Sequence, residues 1–438
     1  MAPMPPDSPL GLYLHVPFCS HICPYCDFNT YAGQEGLIPR YAAAMERDVA
    51  RQGRELGGRA AETIFFGGGT PSLLPAETVA GLIRACREGF AVAADAEVTL
   101  EANPNSVDEA YFAALLDAGV NRLSIGVQTL HRRGLRVLGR QHEAEDARSA
   151  LRAARAAGFT NVSLDLIFGW PGQTVEDWRR DLETVLGWDE APEHLSLYSL
   201  IVEPGTPMAD AVARGILTVL DDDATADLYE EAMAQLDRAG WTHYEVANWA
   251  RDGEAGRRRG GQADRRTGGE ADRRTVVSRQ SFDHSEHGPL PSARLSASPP
   301  VRLPRYASRH NVVYWRNGEY AGFGAGAHAR IGDRRTMNHL LPRAYAEAIE
   351  AGASPHSNEE VLAPKTQMGE TMMLGLRLLQ EGVGEEEFAA RHGVGLEEVY
   401  GEVIGELVGL GLMERTGAGV RLTQRGLMVA NDVCARFL

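Results

Sequence analysis

The chain has 438 residues, too many for one ordinary domain, and its fractions of hydrophobic (44%), aromatic (7%) and charged (24%) residues are those of a globular protein. A formal net charge of −16 disfavours non-specific binding to nucleic acid. No apolar run reaches the length of a membrane span, and the proline-rich residues 1–10, which we expect to be flexible, lack the pattern of a secretory signal. Five cysteines without a paired framework fit a reducing compartment, so we expect a cytoplasmic protein with no transmembrane segment.

The first predicted strand, residues 12–18, runs directly into a cysteine-rich segment. Three cysteines stand there in a C-x3-C-x2-C pattern: Cys19, Cys23 and Cys26. Soft thiolates suit iron–sulfur clusters, and a [4Fe-4S] cube that takes only three of them keeps one iron open to a small molecule. Structural zinc needs four ligands, which His15 or His21 would complete, so zinc and a chance spacing are the alternatives. Cys86 and Cys434 stand alone, which is typical of buried apolar residues.

Short apolar strands alternate with amphipathic helices from Leu12 to about Trp249. The strands are predicted at residues 12–18, 63–66, 97–101, 122–127, 161–168 and 195–202. The helices are predicted at residues 37–56, 75–90, 107–118, 144–157, 175–186 and 222–239. This order indicates a parallel sheet with right-handed crossovers. Six units are too few for a closed eight-stranded barrel, so we predict an α/β fold built on a partial (β/α)6 TIM-like barrel, with a doubly wound sheet as the alternative.

Glycine-rich and polar segments stand at the carboxyl ends of the predicted strands, the edge that carries the site in such folds. Gly67, Gly68 and Gly69 follow the second strand and let backbone approach a ligand closely. The polar side chains near these ends are Thr70, Glu101, Gln128, Arg140 and Asp165. Each alone fits a tight turn, a satisfied core group or a solvated arginine, whereas together they indicate a ligand-binding edge.

Residues 252–304 interrupt this pattern with a polar, arginine-rich near-repeat that has too little apolar surface to offset the entropy of ordering. We predict a disordered low-complexity insertion, with a basic nucleic-acid-binding tail as the alternative. Residues 305–350 are predicted to continue the catalytic domain. They contain a histidine among aromatic residues, which can face haem but is also common around structural histidines. The residues concerned are His310, Tyr314 and Trp315.

Residues 358–438 are mostly helical and indicate a compact module of winged-helix type. Its helices are predicted at residues 388–392, 396–410 and 426–437, with a hairpin strand at 419–423. Winged helices often bind DNA, but acidic side chains disfavour that function here. They are Glu385, Glu386, Glu387, Glu397, Glu398 and Glu402. We expect a lid or a packing domain instead.

The cysteine pattern with Tyr25, the 67–70 loop and the ordered strand-end residues resemble the radical S-adenosylmethionine (SAM) superfamily. More narrowly, nearly the whole chain outside residues 252–304 is similar to the oxygen-independent coproporphyrinogen III oxidase family, and the His-Asn-x2-Tyr-Trp segment to its haem chaperone branch, HemW. The resemblance implies a partial barrel over residues 11–251 and a [4Fe-4S] cluster on the three cysteines. It implies SAM contacts from Tyr13, Gly68, Gly69, Thr70, Glu101, Gln128, Arg140 and Asp165. It also implies haem contacts from His310, Asn311, Tyr314 and Trp315.

Two departures from the family pattern separate an oxidase from a chaperone. The decarboxylating oxidases carry another cysteine two residues past the third, where this chain has Phe28, and they have a longer arm than the twelve residues before Tyr13. Both departures favour the chaperone branch, which by resemblance lacks oxidase activity, binds haem and passes it to respiratory haemoproteins. The implied cofactors are a [4Fe-4S] cluster, SAM and haem, and the implied partners include an electron donor such as a flavodoxin or ferredoxin.

Three hypotheses therefore follow from the sequence. The first is a haem chaperone that carries a SAM-binding [4Fe-4S] cluster. The second is an oxygen-independent coproporphyrinogen III oxidase that forms protoporphyrinogen IX by radical SAM decarboxylation. The third is a zinc-stabilised binding module without radical chemistry, which analysis of iron and sulfide separates from the other two. No catalytic residue is assigned.

Overall fold

The computed structural model describes residues 9–252 and 302–438. Apart from its last two residues, the predicted flexible N-terminus (residues 1–10) lies outside the described residues; residue 10 begins the first strand. The predicted insertion at 252–304 also lies outside them, except for residue 252 and residues 302–304. Among the described residues, no helix combines the length and the apolar composition that crossing a membrane requires.

The described strands and helices alternate over the first half of the chain and change to a mixed pattern after it. The strands are β1 Leu10–Val16, β2 Phe18–Cys19, β3 Tyr31–Ala32, β4 Ala60–Gly68, β5 Ala91–Ala102, β6 Arg122–Gln128, β7 Val162–Phe168, β8 His194–Ser199, β9 Thr242–Glu245, β10 Asn248–Ala250, β11 Tyr320–Phe323, β12 His328–Ile331, β13 Arg334–Asn338, β14 His356–Val361, β15 Val383–Gly384, β16 Met413–Arg415 and β17 Gly419–Leu422. The helices are α1 Ile38–Glu55, α2 Ala76–Gly89, α3 Glu109–Ala118, α4 Arg132–Val137, α5 Ala144–Ala156, α6 Val175–Leu186, α7 Pro207–Ala213, α8 Asp222–Arg238, α9 Arg309–Trp315, α10 Pro342–Glu350, α11 Pro364–Gly375, α12 Glu385–His392, α13 Leu396–Gly409, α14 Gln424–Leu427 and α15 Ala430–Ala435.

One large sheet of 12 strands forms the body of the protein, in the order β14-β13-β12-β11-β1-β4-β5-β6-β7-β8-β10-β9. The strands from β11 to β8 in this order are parallel to their neighbours. From β1 to β8 the order follows the chain without the reversal that defines a doubly wound sheet. The sheet stays open because, in the described part of the chain, β14 and β9 stand at opposite ends of it. The predicted α/β partial barrel is confirmed.

The structure adds a seventh parallel strand that the sequence did not predict. This strand, β11, lies beyond residues 253–301 in the chain and pairs with β1. It is only four residues long, which is too short to show a periodic pattern in the sequence. Antiparallel strands extend both edges, β12–β14 on one side and β9–β10 on the other. The predicted strand 195–202 is wrong at its end, because β8 stops at Ser199 and the chain leaves the sheet there.

Helices cover the sheet with apolar faces that recur at helical spacing. In α1, Ile38, Tyr41, Met45 and Val49 are buried, the i, i+3, i+7 and i+11 positions of one face. β1 is buried on both sides, as a central strand of a covered parallel sheet should be. The interior of the barrel is therefore filled by apolar side chains of the strands and of the helices that cover them.

The C-terminal residues have a separate hydrophobic cluster, formed by α11, α12, α13 and α15 together with a three-stranded antiparallel sheet, β15-β17-β16. β17 coincides with the predicted hairpin strand at 419–423. The single helix predicted at 426–437 is wrong, because α14 ends at Leu427 and α15 begins at Ala430. Val429 between them has a φ of −124°, outside the helical range.

Candidate functional site

A cavity of about 490 Å³ opens at the carboxyl edge of the parallel strands. We call it the outer cleft. The predicted cluster and SAM residues that line it are Cys19, Cys23, Cys26, Gly68, Gly69, Thr70, Glu101, Gln128, Arg140 and Asp165. These residues come from segments spread over 147 positions of the chain, and the parallel topology brings their strand ends to one edge.

The three thiols sit on the loop that follows β1. Cys19 belongs to β2, whose pairing with β3 fixes one end of the loop. The hydroxyl of Thr70 donates to Sγ of Cys19 over 3.5 Å, and a guanidinium nitrogen of Arg140 donates to Sγ of Cys23 over 3.8 Å. Burial raises the pKa of the Cys19 and Cys26 thiols, so metal binding at neutral pH releases their protons.

The three thiols are the donor type of an iron–sulfur cluster, and the described residues do not supply a convergent set of ligands for a single ion. Within residues 9–252 and 302–438, no three His, Cys, Asp or Glu side chains converge closely enough to hold one metal ion. His15, a candidate fourth zinc ligand, is engaged, with Nε2 2.9 Å from the Asn29 carbonyl oxygen and Nδ1 3.0 Å from the Tyr13 hydroxyl. His21 is exposed. A cubane takes each thiolate on a different iron, whereas zinc draws all its ligands to one centre.

The glycine loop, Gly67 to Gly69 at the end of β4, packs closely against β1 and the cysteine loop. Gly68 has a φ of +117°, and a Cβ added there would lie 2.6 Å from the ring of His15. A Cβ on Gly69 would lie 2.9 Å from Sγ of Cys19. Neither position tolerates a side chain, so the loop fits closely around the place where a cluster and its ligand would sit.

Two half-buried carboxylates, Glu101 and Asp165, form the floor of the outer cleft. Glu101 accepts a hydrogen bond of 3.2 Å from the Gly68 amide, and the single hydroxyl hydrogen of Ser124 is shared between the two carboxylate oxygens of Asp165, each 2.9 Å away. Burial, and then the charge of Asp165, raise the pKa of Glu101 to about 8. Burial also raises the pKa of Asp165. Carboxylates at such positions accept hydroxyl and ammonium groups of a ligand.

The backbone of β6 is irregular at Gln128, whose side chain lines the outer cleft. Gln128 is one of two non-glycine residues with positive φ among the described residues, at +65°. The pairing of β6 with β7 shifts register between Gly126 and Gln128, which marks a bulge. Arg140 stands beside it and donates to the Gly126 carbonyl over 2.9 Å. Strain of this kind is concentrated at ligand sites.

Behind the two carboxylates lies a second cavity, of about 190 Å³, inside the barrel. We call it the inner chamber. Its lining residues are Tyr13, Phe65, Glu101, Arg122, Ser124, Asp165, Ser196, Tyr198, His310, Asn311 and Tyr314. Tyr13, predicted as a SAM contact with the outer cleft residues, lines this chamber instead, because its ring packs against both Phe65 and His310, which also stack on each other within the barrel.

The predicted haem contacts do not share one surface. His310 is buried, with Nδ1 2.7 Å from the Thr63 hydroxyl and Nε2 3.0 Å from the Tyr314 hydroxyl. His310, Asn311 and Tyr314 line the inner chamber, whereas Trp315 packs under the Arg377 guanidinium, 5.2 Å from its ring centroid. The chamber holds roughly six waters at about 30 Å³ each, so a porphyrin does not fit it as it stands.

Arg122 is the site residue that the sequence analysis missed. It opens β6, is 2% exposed and lines the inner chamber. The signal in the sequence was a charged residue at the start of a largely apolar strand. Burial of a charged side chain is unfavourable, so a charge at such a position often marks a functional site. Ser124 was missed as well, although it follows Arg122 at the spacing of one strand face.

Two family models match the chain. The radical SAM superfamily model covers residues 13–185, and the HemN C-terminal domain model covers residues 362–429. The first contains the cysteine loop and the two carboxylates of the outer cleft, and the second matches most of the C-terminal cluster.

Curated relatives match over their full length. The heme chaperone HemW of Bacillus subtilis is 33% identical over 97% of this chain and 98% of its own, and that of Mycobacterium tuberculosis is 35% identical over 100% and 97%. The heme chaperone HemW of Escherichia coli is 31% identical over 98% of both chains. Among solved structures, coproporphyrinogen III oxidase (HemN) from E. coli superposes with a TM-score of 0.74 at 21% identity, over 99% of this chain and 90% of that one, which shows the shared fold.

Proposed function

Because the chain belongs to the family of heme chaperone HemW, within the radical SAM superfamily, we propose that it is a haem chaperone: it binds haem and transfers it to acceptor haemoproteins. We further propose that it carries a [4Fe-4S] cluster on its three clustered cysteines and binds SAM beside it. The observation that carries the cluster and SAM assignment is the meeting of three thiols, a glycine backbone and two half-buried carboxylates around one cleft. The full-length similarity carries the haem assignment.

Each group in the outer cleft has a definite task in this proposal. A reduced [4Fe-4S] cluster with SAM on its open iron supplies one electron to the sulfonium when both are bound. The three thiolates would hold the cluster, and Gly68 and Gly69, which lack side chains, would let the cofactor approach the backbone closely. Glu101 and Asp165 accept its hydroxyl or ammonium hydrogens, and Arg140 pairs with an anionic group.

Haem contact by His310 stays a prediction, and the structure defines what it requires. Burial lowers the pKa of His310 to about 3, so its ring is the neutral form that ligates iron. Its Nε2 must leave the Tyr314 hydroxyl, and α9 must move off the barrel to admit a macrocycle. We propose that haem binding and release are coupled to this movement of α9.

The test is an anaerobic titration of the purified protein with haem. We expect a Soret band at a stoichiometry of one haem per chain, weakened or shifted in His310→Ala. His356→Ala, a half-buried histidine on β14, is the matched control and should leave the spectrum unchanged. Absence of a Soret band in the unmodified protein would refute the chaperone proposal, and an unchanged band in His310→Ala would refute only the ligand.

The same preparation tests the remaining parts of the proposal. Iron and sulfide analysis should give about four of each per chain. Coproporphyrinogen III incubated with the reduced protein and SAM should yield no protoporphyrinogen IX, since we propose a chaperone and not an oxidase. We propose a flavodoxin or ferredoxin as the electron donor and the cytoplasm as the location, on the ground that unpaired cysteines suit a reducing compartment.

A further inference from the structure

We propose that a buried chain of hydrogen bonds couples the SAM site to α9, with Ser163, His194 and Tyr244 as its positioning residues. The chain joins Asp165, on the floor of the outer cleft, to the residue that caps α9, and through it bound SAM holds α9 against the barrel. This inference rests on the proposed binding of SAM. It concerns three residues that line neither the outer cleft nor the inner chamber.

The chain consists of four hydrogen bonds and crosses three strands. The hydroxyl of Ser163 on β7 donates to Oδ1 of Asp165 over 3.2 Å, and its oxygen lies 2.8 Å from Nδ1 of His194 on β8. Nε2 of His194 lies 2.8 Å from the hydroxyl of Tyr244 on β9. That hydroxyl accepts a hydrogen bond of 3.1 Å from the backbone amide of Ser308, the N-cap of α9. A continuous path therefore runs from the outer cleft to the start of the helix.

The donor of each bond follows from the single hydrogen that each of these groups has to give. Ser163 gives its hydrogen to Asp165, so its oxygen accepts from Nδ1 of His194. Burial lowers the pKa of His194 well below its usual value, so the ring is neutral and its Nε2 accepts from the hydroxyl of Tyr244. All four bonds therefore point toward Asp165. Hydrogen bonds aligned in this way strengthen one another, most of all when they end on an ionised carboxylate.

The interior of the chain is shielded from water. Ser163, His194, Tyr244 and Ser308 are all fully buried, and the first two are register partners in the parallel pair β7–β8. Breaking one of these bonds would leave a buried donor or acceptor unpaired, which is strongly unfavourable. Asp165, by contrast, is half-buried and faces the outer cleft, so a ligand can act on the chain at this end.

Bound SAM should strengthen the bond at the Asp165 end. In the open cleft, water competes with Ser163 for the oxygens of Asp165. A ligand whose hydroxyl or ammonium hydrogens are accepted by Asp165 displaces this water, needs the ionised carboxylate and fixes it in one orientation. The aligned chain transmits the strengthening to the amide of Ser308. SAM therefore holds the first turn of α9 more firmly in place.

The coupling sets SAM and haem against each other. In the proposed function α9 must move to admit haem, whereas SAM holds the helix where it is. Coupling between two binding sites is reciprocal, so haem should weaken SAM binding by the same factor as SAM weakens haem binding. Haem is then admitted most readily while the outer cleft holds no SAM.

The experiment measures backbone amide exchange in residues 308–315 with and without saturating SAM, on anaerobically reconstituted protein whose SAM binding is verified by equilibrium dialysis. In the unmodified protein we expect SAM to slow this exchange about fivefold, a usual size for coupling between two sites. Ser163→Ala cuts the chain at the Asp165 end and Tyr244→Phe cuts it at the α9 end. In both variants we expect the ratio of the rates without and with SAM to fall to about one.

Tyr345→Phe is the matched control. Tyr345 on α10 is also fully buried, and its hydroxyl donates to Oδ2 of Asp48 over 2.8 Å, outside the chain. This variant loses a buried hydrogen bond as Tyr244→Phe does, but it should keep the fivefold effect of SAM. Ser163→Ala leaves the contact between Tyr244 and Ser308 in place, so a merely structural role of Ser163 predicts an unchanged effect of SAM on α9.

Each outcome supports or overturns the inference. Exchange in α9 that SAM leaves unchanged or accelerates in the unmodified protein overturns it, and this result needs no variant. Slowing that survives in Ser163→Ala comes through the inner chamber or from general stabilisation and overturns it too, as does slowing that is lost in Tyr345→Phe. If Tyr244→Phe does not fold, Ser163→Ala decides alone.

Two results would bear on the proposed function instead. A cluster-loaded unmodified protein that binds no SAM in dialysis overturns the proposed binding of SAM. Haem affinity, measured by the Soret titration, should fall about fivefold in the presence of SAM. If SAM slows exchange in α9 through the chain but leaves haem affinity unchanged, haem does not enter by movement of α9, and that part of the proposed function is wrong.

Discussion

At Gly68 the candidate site depends on the absence of a side chain. Its φ of +117° lies in a region that essentially only glycine adopts, and the ring of His15 occupies the space beside it. The same residue donates its amide to Glu101, which joins the glycine loop to the carboxylate floor. One backbone position therefore connects the cysteine loop, through His15, with the SAM side of the cleft.

Gly68→Ala should damage both stability and cofactor binding. We expect a loss of about 2–3 kcal/mol in the free energy of unfolding, from backbone strain and the contact with His15, together with loss of SAM binding. Gly57→Ala is the matched control: its φ is also positive, at +65°, but nothing lies within 4 Å of an added Cβ, so only about 1 kcal/mol should be lost. Urea unfolding and SAM dialysis measure the two effects; equal losses in both variants would contradict this account.

The sequence predicted the outer cleft well because its residues are marked by unusual chemistry at strand ends. Cys19 and Glu101 are recognisable without a structure, since a spaced thiol array and a lone acid after an apolar strand are uncommon outside ligand sites. Arg122 was missed, and the place of Tyr13 in the inner chamber was not predicted, because which face of a strand meets which cavity depends on the twist and register of the sheet. That information is non-local and is absent from any single segment.

At the scale of elements, α9 closes the barrel against the inner chamber through contacts with a distant strand. Both carboxylate oxygens of Glu97 on β5 accept hydrogen bonds of 3.1 Å, from the backbone amides of Arg309 and His310. These amides belong to the first turn of the helix and have no partner within it. A buried side chain more than 200 positions earlier in the chain thus caps α9 and sets the position of His310.

Glu97→Ala should release α9 without unfolding the barrel. We expect a loss of about 1.5–3 kcal/mol, because two charge-assisted hydrogen bonds disappear and two buried amides are left unpaired. Backbone amide exchange in residues 309–315 should accelerate selectively. If haem reaches His310 by movement of α9, haem should also bind faster to this variant.

The control for that variant is Asp221→Ala, which removes the exposed N-cap of α8 and should cost only about 1 kcal/mol. It should leave exchange in α9 unchanged. Unaltered exchange in residues 309–315 of Glu97→Ala would show that packing, and not the Glu97 cap, holds the helix.

Elements with strong periodicity were predicted and short ones were not. The helix predicted at 175–186 coincides with α6, which begins with a capping box between Thr174 and Asp177. By contrast, β11 has four residues and α9 has seven. Neither is long enough to show the hydrophobic periodicity from which a strand or a helix is predicted. Their place beside β1 is set by pairing and by the Glu97 cap, both of which are long-range contacts.

For the whole molecule, the three clustered thiols lie outside the main hydrophobic cluster of the barrel, and the cysteine loop contacts the barrel through the packing of Tyr25 beside Ile167 and Trp170. Leu12 and Leu14 of β1 are fully buried in the main hydrophobic cluster, whereas none of the three clustered thiols belongs to it. The loop beyond Cys19 is partly exposed, and Phe28 at its tip is 67% exposed. A protein built this way should keep its fold when metal is removed, unlike a zinc finger, whose folding energy is its metal-binding energy.

Removal of iron with a chelator should therefore loosen the loop alone. We expect the midpoint of thermal unfolding to fall by only about 1 °C, since roughly 1 kcal/mol of loop contacts is lost against an unfolding entropy of about 0.9 kcal/mol/K for a chain of 438 residues. Chymotryptic cleavage after Phe28 should accelerate severalfold, while cleavage after Leu410, which is exposed at the end of α13, should keep its rate. Cooperative unfolding on chelation would mean that the metal site is part of the folding core, and the inference that the barrel forms first and the cofactors bind to its finished edge would be wrong.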